Sequence, residues 1–339
     1  MPILESIEKG RQEDGSRSIA DKIIKRLHDL DLSVESNQGR WIWELLQNAK
    51  DSIIDDERKV KVKIELNNDN VCFKHNGIYF TEKDIRGLIN QISSKELEEG
   101  EIRRKTGRFG TGFLTTHLLS KEVIVAGVVK IQSGELYRFS FPLNREGKTT
   151  SELVPKIETT WQKFHESTCI VENYNEDEFN TSFNYPLNSI AKKEIAKIGI
   201  KEFESLIQYV LVFVPEIESV EIIDNVENKK TIFTNTFNNE IDNVAKIVRQ
   251  FNGSKDNIFV LNITKENVCI AVELTEISST FEIKEFENTP KLFCDFPLIG
   301  SEKFHFPVII NCFDFTPLSE RDGAWLKGND EKQEIRKNK

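Results

Sequence analysis

The sequence predicts an α+β protein in two parts: helices laid on one face of a mixed, mostly antiparallel sheet, then a second α+β domain rich in strands. Three observations predict it. Apolar residues recur at helical spacing over 17–31 and again over 38–54. The alternating run VKVKIEL at 60–66, the turn NNDN and the run VCFKHNG read together as a hairpin ending at Gly77. Beyond a helical segment at 187–215, closed by Pro215, the strand-like runs VEII, NIFVLNI, NVCIAVEL and FPVIINCF dominate.

Between these landmarks each element has its own signal. Thr81 followed by Asp84 matches a capping box, so a helix opens there and runs to about Ile92. The stretch SSKELEEGEIRRKTGR at 93–108 is almost all charged, small or glycine, and a core cannot fix it. It is expected to be a mobile loop or lid over about 93–109. FGTGFLTTHLLS then reads as a glycine turn running into a helix. VIVAGVV, ELYRFSFPL and STCIVENY follow as strands. The domain boundary is expected near 180, giving domains 1–180 and 181–339. The polar ending KGNDEKQEIRKNK is either a frayed terminus or the start of a helix into further sequence.

Composition narrows the class. With 38% hydrophobic residues and 23 Phe among 339 residues, the chain can build proper cores, which excludes a disordered protein. A net charge of −10 argues against non-specific nucleic-acid binding through bulk electrostatics. The five scattered cysteines form no CxxC pair and read as buried free thiols of a reducing cytosol, not as a disulfide framework or zinc site. The N-terminal residues carry no signal-peptide pattern, and no apolar run approaches a membrane span, so a cytoplasmic protein is expected.

The candidate site begins in RWIWELLQNAKDSI, residues 40–53. Glu44, Asn48 and Asp51 fall at i, i+4 and i+7 and so share one stripe of a helix otherwise rich in Trp, Leu and Ile. Buried polar groups are costly unless something satisfies them, so either solvent or a ligand meets that stripe. A solvated helix face is the simpler alternative. Three neighbours favour a ligand. His75-Asn76-Gly77 forms a turn at a strand end, and the charged lid precedes a G-x-x-G-x-G pattern at Gly107, Gly110 and Gly112. Glycines there let backbone N–H groups approach an anion, with the positive end of the next helix behind them.

In that order, RWIWELLQNAKDSI, HNG, GRFGTGF and STCIVEN resemble the four nucleotide-binding motifs of the GHKL superfamily. Its members include DNA gyrase, MutL, the ninety-kilodalton heat-shock chaperones and histidine kinases. The HNG variant and the FPVIIN…ERDG ending look most similar to the sacsin-like, chaperone-related branch. The motif resemblance covers about residues 35–175, and a vaguer one to a transducer-like domain covers about 187–326. It implies a Bergerat-type α/β sandwich that binds ATP and Mg²⁺. By the same resemblance Glu44 is the general base that polarises water, and Asn48 gives its carbonyl oxygen to magnesium. Asp51 lines the pocket, while Gly107, Gly110, Thr111, Gly112 and Phe113 hold the phosphates. Thr168 lies near the adenine, and Arg321 in the second domain reaches the γ-phosphate; a plain surface salt bridge is the other reading of Arg321. The chain departs from the family at His75, where most members carry an aspartate that accepts from the adenine amino group. An imidazole can accept at one nitrogen and donate at the other, so base specificity is the property in question.

Three function classes result. The first is a slow ATPase switch of chaperone-like, remodelling or antiviral-defence type, in which nucleotide closes the lid, docks the second domain and biases formation of a homodimer or a complex with a partner protein. The second is a nucleotide-binding scaffold without hydrolysis, against which the complete Glu44/Asn48/Asp51 stripe argues. The third is a histidine kinase, which needs an upstream phosphoacceptor; His28 is the sole histidine before the first motif. A topoisomerase or mismatch-repair role would demand DNA contacts, which the acidic balance disfavours.

Overall fold

In the computed structural model the described residues are 2–53, 58–91, 112–236, 241–278, 280–285, 288–312 and 314–315. The expected lid, Gly107, Gly110, Thr111, Arg321 and the polar ending lie outside them. The chain divides into two units, residues 1–54 with 62–200 and residues 55–61 with 201–339. Both are α+β, and each sheet is mixed but mostly antiparallel.

The first unit opens with helices α1 (Pro2–Leu32), α2 (Val34–Asn37) and α3 (Arg40–Asp51). Then come β1 (Val60–Leu66), β2 (Asn70–His75), β3 (Phe80–Thr81), α4 (Glu82–Asn90), β4 (Glu122–Lys130) and β5 (Leu136–Asn144). Helix α5 (Thr150–Ser167), β6 (Cys169–Ile170), β7 (Thr181–Pro186) and α6 (Ile190–Phe213) complete the order. The strands lie in the order β1-β2-β7-β4-β5-β6, with β3 parallel to β4. STCIVENY supplies only the two-residue edge strand β6, with both residues exposed. The unit instead reaches past residue 180 because TSFNYP, β7, pairs between β2 and β4.

Alternation in β1 and β2 does what a half-buried sheet requires. Val62, Ile64 and Leu66 are buried and pair with His75, Phe73 and Val71, so all six face one side. Helix α1 buries Ala20, Ile23, Leu27 and Leu30, a single helical stripe, and packs on helix α5 and the segment Gly112–Leu118, while its first half stays exposed. Helix α5 buries Leu153 and Ile157 and sets Phe164 between Phe139 and Phe141, each 5.5 Å away between ring centres.

Helix α4 starts with the expected capping box: the Thr81 hydroxyl accepts from the Asp84 N–H, and the Asp84 carboxylate accepts from the Thr81 N–H. At its other end the buried Arg145 donates through Nη2 to the carbonyls of Leu88 and Ile89, satisfying last-turn acceptors. Burial lowers that guanidinium to about 9.

The second unit carries β8 (Ile217–Asp224), β9 (Lys229–Asn235), β10 (Val244–Phe251), β11 (Ser254–Lys265) and β12 (Val268–Ile277). It continues with β13 (Thr280–Ile283), β14 (Leu292–Cys294), β15 (Phe296–Pro297) and β16 (Ile309–Cys312). Among the described residues their order is β8-β9-β10-β11-β12-β16-β14-β15, with β13 beside β12 and only β14 and β16 parallel. The C-terminal half of α6 packs here: Asn235 donates to the Leu211 carbonyl at 2.8 Å, and Tyr209 meets Phe293 edge-on. Of the cysteines, Cys269, Cys294 and Cys312 are buried, Cys72 is half-buried, and Cys169 is exposed, contrary to the expectation of burial for all five. Among the described residues no helix is long and apolar enough to cross a membrane.

The first half of α6 is held against α3 at one tight point. A β-carbon on Gly199 would lie 2.3 Å from Nε1 of Trp41, whose indole is fully buried. Gly199→Ala should therefore destabilise the protein by about 1–3 kcal/mol through overpacking. The expected readout is a lowered denaturant midpoint, with Lys197→Ala on the exposed side of the same helix leaving it unchanged.

Candidate functional site

Helix α3 is the centre of the site because it is buried nearly all the way round. Arg40, Glu44, Gln47 and Lys50 are sequestered along with Trp41, Ile42, Trp43, Leu45, Leu46 and Ala49. No Gly or Pro interrupts the segment, and Ser52 closes it by donating its hydroxyl to the Ala49 carbonyl at 2.6 Å. Glu44 is 8% exposed and the Asp51 side chain 2%, so the stripe is not a solvated helix face. Asn48, half-buried, lies between them. Arg40 bridges Asn37 at 2.7 Å and Glu44 at 3.5 Å, and Lys50 approaches Asp51 at 3.9 Å.

At the Asp51 end the His75-Asn76-Gly77 turn closes on the helix. All three residues are buried. Only glycine fits at position 77: a β-carbon would lie 1.8 Å from the Ser52 hydroxyl oxygen and 2.7 Å from His75 Nδ1. The close approach lets the Gly77 N–H donate to His75 Nδ1 at 3.1 Å. An N–H can only donate, so Nδ1 is the acceptor and the neutral ring carries its proton on Nε2. Burial pushes the imidazole down to about 3. Its ring stacks on Phe183 of β7, with centres 6.4 Å apart.

At the Glu44 end Gly112 does the same. A β-carbon there would fall 2.2 Å from Oε2 of Glu44. Phe113 follows, its ring 5.5 Å from Phe183, so one aromatic side chain links the two ends of the site. The segment after the glycines corrects one expectation. Gly112–Leu118 is a seven-residue 3₁₀ turn and not an α-helix. So short a turn has little macrodipole to offer an anion, and any grip on phosphate must come from individual N–H groups.

Thr168 also requires correction. It is half-buried at the C-terminal end of α5 and donates its hydroxyl to the His165 carbonyl. The strand it leads into, β6, lies four strand steps from β2, about 19 Å at the usual spacing. The threonine brought beside His75 is Thr181 on β7, its direct cross-strand partner and 1% exposed. The alternation of Thr181, Phe183 and Tyr185 was the available signal for that strand. Thus Glu44, Asn48, Asp51, His75, Asn76, Gly77, Gly112 and Phe113 come together around α3, and Thr168 does not.

No family model and no curated protein matches this chain. Among the described residues no three His, Cys, Asp or Glu side chains cluster as a self-sufficient metal cage would need. The donor set does fit magnesium held mainly by phosphate and water, since the amide of Asn48 sits on one stripe with two carboxylates, all hard oxygen donors.

A second buried histidine adds a pH dependence. His117 lies in the 3₁₀ turn with Nδ1 3.0 Å from the Ser120 carbonyl, and burial, reinforced by the charge of Arg145, lowers it to about 3. An unfolded chain protonates both histidines near 6.5. Between about pH 6.5 and 3 the unfolded state therefore binds more protons, and stability falls as pH falls, by up to about 1.4 kcal/mol per pH unit for each ring. The urea midpoint should drop steadily from pH 7 to pH 5, and His117→Gln should flatten that slope while leaving the pH 7–8 plateau level.

Proposed function

We propose that the first unit has a GHKL-type fold, binds a nucleoside triphosphate with Mg²⁺ and hydrolyses it, with ATP the nucleotide the resemblance implies. The supporting observation is the Glu44/Asn48/Asp51 stripe with both carboxylates buried, met at one end by Gly112, where a β-carbon would strike the Glu44 carboxylate, and at the other by Gly77, where it would strike Ser52. About 10 Å of helix rise separates Glu44 from Asp51, long enough for phosphates at one end and a base at the other. In this reading Glu44 orients and deprotonates the attacking water, and Arg40, 3.5 Å away, holds the carboxylate in place. Asn48 supplies one oxygen to the magnesium ion, which when bound offsets charge on the phosphates. The aromatic wall of Phe113 and Phe183 excludes water from the space between. As in the resemblance, the cycle would be a slow switch coupled to self-association or to a partner protein.

The decisive experiment separates binding from turnover. Glu44→Ala should bind the Mg²⁺–nucleotide with near-unchanged affinity while kcat falls at least about 100-fold; normal turnover would refute the assignment. Gly112→Ala should lower kcat as well, because its methyl group displaces the carboxylate. Asn48→Ala should abolish the gain in affinity that Mg²⁺ gives the parent protein, as read by calorimetry with and without the metal.

A further inference from the structure

We infer that residue 75 presents a hydrogen-bond donor to the bound base, and that the site selects a nucleobase with a ring carbonyl, a 6-oxopurine, over one with an exocyclic amino group. The inference rests on the nucleotide-binding reading above and names its substrate class. Four observations carry it. The Gly77 N–H occupies Nδ1, which fixes the proton on Nε2. Among the described residues no side chain or carbonyl accepts from that Nε2–H. The ring cannot switch roles by protonation in the ordinary pH range, since burial keeps it neutral. The ring cannot readily flip either, because the turn that grips Nδ1 also packs Gly77 against Ser52.

Position within the site makes this edge the base-recognising one. The Glu44 and Asn48 end carries a carboxylate and an amide, which suit a hydrated metal and its phosphates. The His75 end carries Asp51 already drawn to Lys50, and beside that pair an uncharged aromatic wall, with Phe183 stacked on the imidazole and Thr181 next to it, which suits a flat heterocycle. An amino group brought to Nε2–H would set donor against donor and leave both unpaired, whereas a carbonyl oxygen there accepts. A site whose polar group is mismatched discriminates more strongly than one that merely loses an apolar contact.

The test compares the Mg²⁺ complexes of the β,γ-imido analogues of inosine and adenosine triphosphate, which differ in the base only at the six-position and its N1 proton, together with Mg²⁺–tripolyphosphate, all by calorimetry on the full chain. The inosine form should bind at least about tenfold more tightly than the adenosine form, and His75→Asp, an acceptor, should reverse the order. Equal or tighter binding of the adenosine form by the parent protein, or a His75→Asp effect equal on both nucleotides, overturns the inference. If tripolyphosphate and both nucleotides bind alike, the phosphate site stands and base selection at His75 falls. If none of the three binds, the nucleotide reading itself falls and this one with it. Should His75→Asp not fold, the long-range ¹H–¹⁵N spectrum of the parent protein decides: a proton on Nε2 from pH 5 to 9 is expected, and a proton on Nδ1 removes the premise.

Discussion

The near-complete burial of α3 is the constraint on which the rest of the first unit depends. A helix with apolar residues all round can be enclosed at no electrostatic cost, but this one also carries Arg40, Glu44, Gln47, Lys50 and Asp51 into the interior. An isolated ion there would be prohibitively expensive, so cations and carboxylates are placed one helical turn or one residue apart, Arg40 with Glu44 and Lys50 with Asp51. Enclosure also dictates the backbone around the helix. The chain must pass close enough to seal its polar stripe, and at two such passes, Gly77 and Gly112, a β-carbon would strike the Ser52 hydroxyl and the Glu44 carboxylate.

Sheet register carries the same constraint to His75. Because the side-chain period of a strand is two, the pairing of Val62 with His75 and of His75 with Thr181 puts the imidazole on the helix-bearing face, and a slip of one residue would turn it to the opposite face. The turn that follows then determines its chemistry. In His117 the fixed partner is a carbonyl, so Nδ1 must donate and Nε2 is left as the acceptor. In His75 the fixed partner is an N–H, and the roles are exchanged. Two neutral histidines in one unit thus present opposite polarity, set by a single backbone group in each case.

What was legible in the sequence is what local periodicity encodes. The α3 stripe, the β1–β2 hairpin, the Thr81–Asp84 box and α6 all announce themselves within a window of a dozen residues. The failures share a physical cause. STCIVENY is β-branched and apolar enough to read as a strand, yet its Cys169 and Ile170 lie exposed at an edge with one neighbour. TSFNYP has weaker strand character, with Asn184 and Pro186, and it is a strand because β2 and β4 flank it on both sides. Long-range pairing overrode propensity in both places, and it set Thr181, not Thr168, beside His75. The proton position on His75 was legible in neither composition nor spacing, since it depends on one hydrogen bond across a turn.

The balance of charge along α3 bears on what that pocket can accept. Arg40, Glu44, Lys50 and Asp51 sum to zero, and both cations are already drawn to the carboxylates. A triphosphate laid along the stripe would meet two negative groups in a region of low dielectric, where like charges a few ångströms apart repel by several kcal/mol. Moving the arginine or lysine onto the phosphates would leave a bare carboxylate behind and gain little. An added divalent cation resolves both repulsions at once, because it can face the phosphates and the Asn48 oxygen while Glu44 and Asp51 keep their partners. Magnesium dependence, if the site is a nucleotide site, is therefore a consequence of how the helix was made buriable and needs no acidic cage of its own.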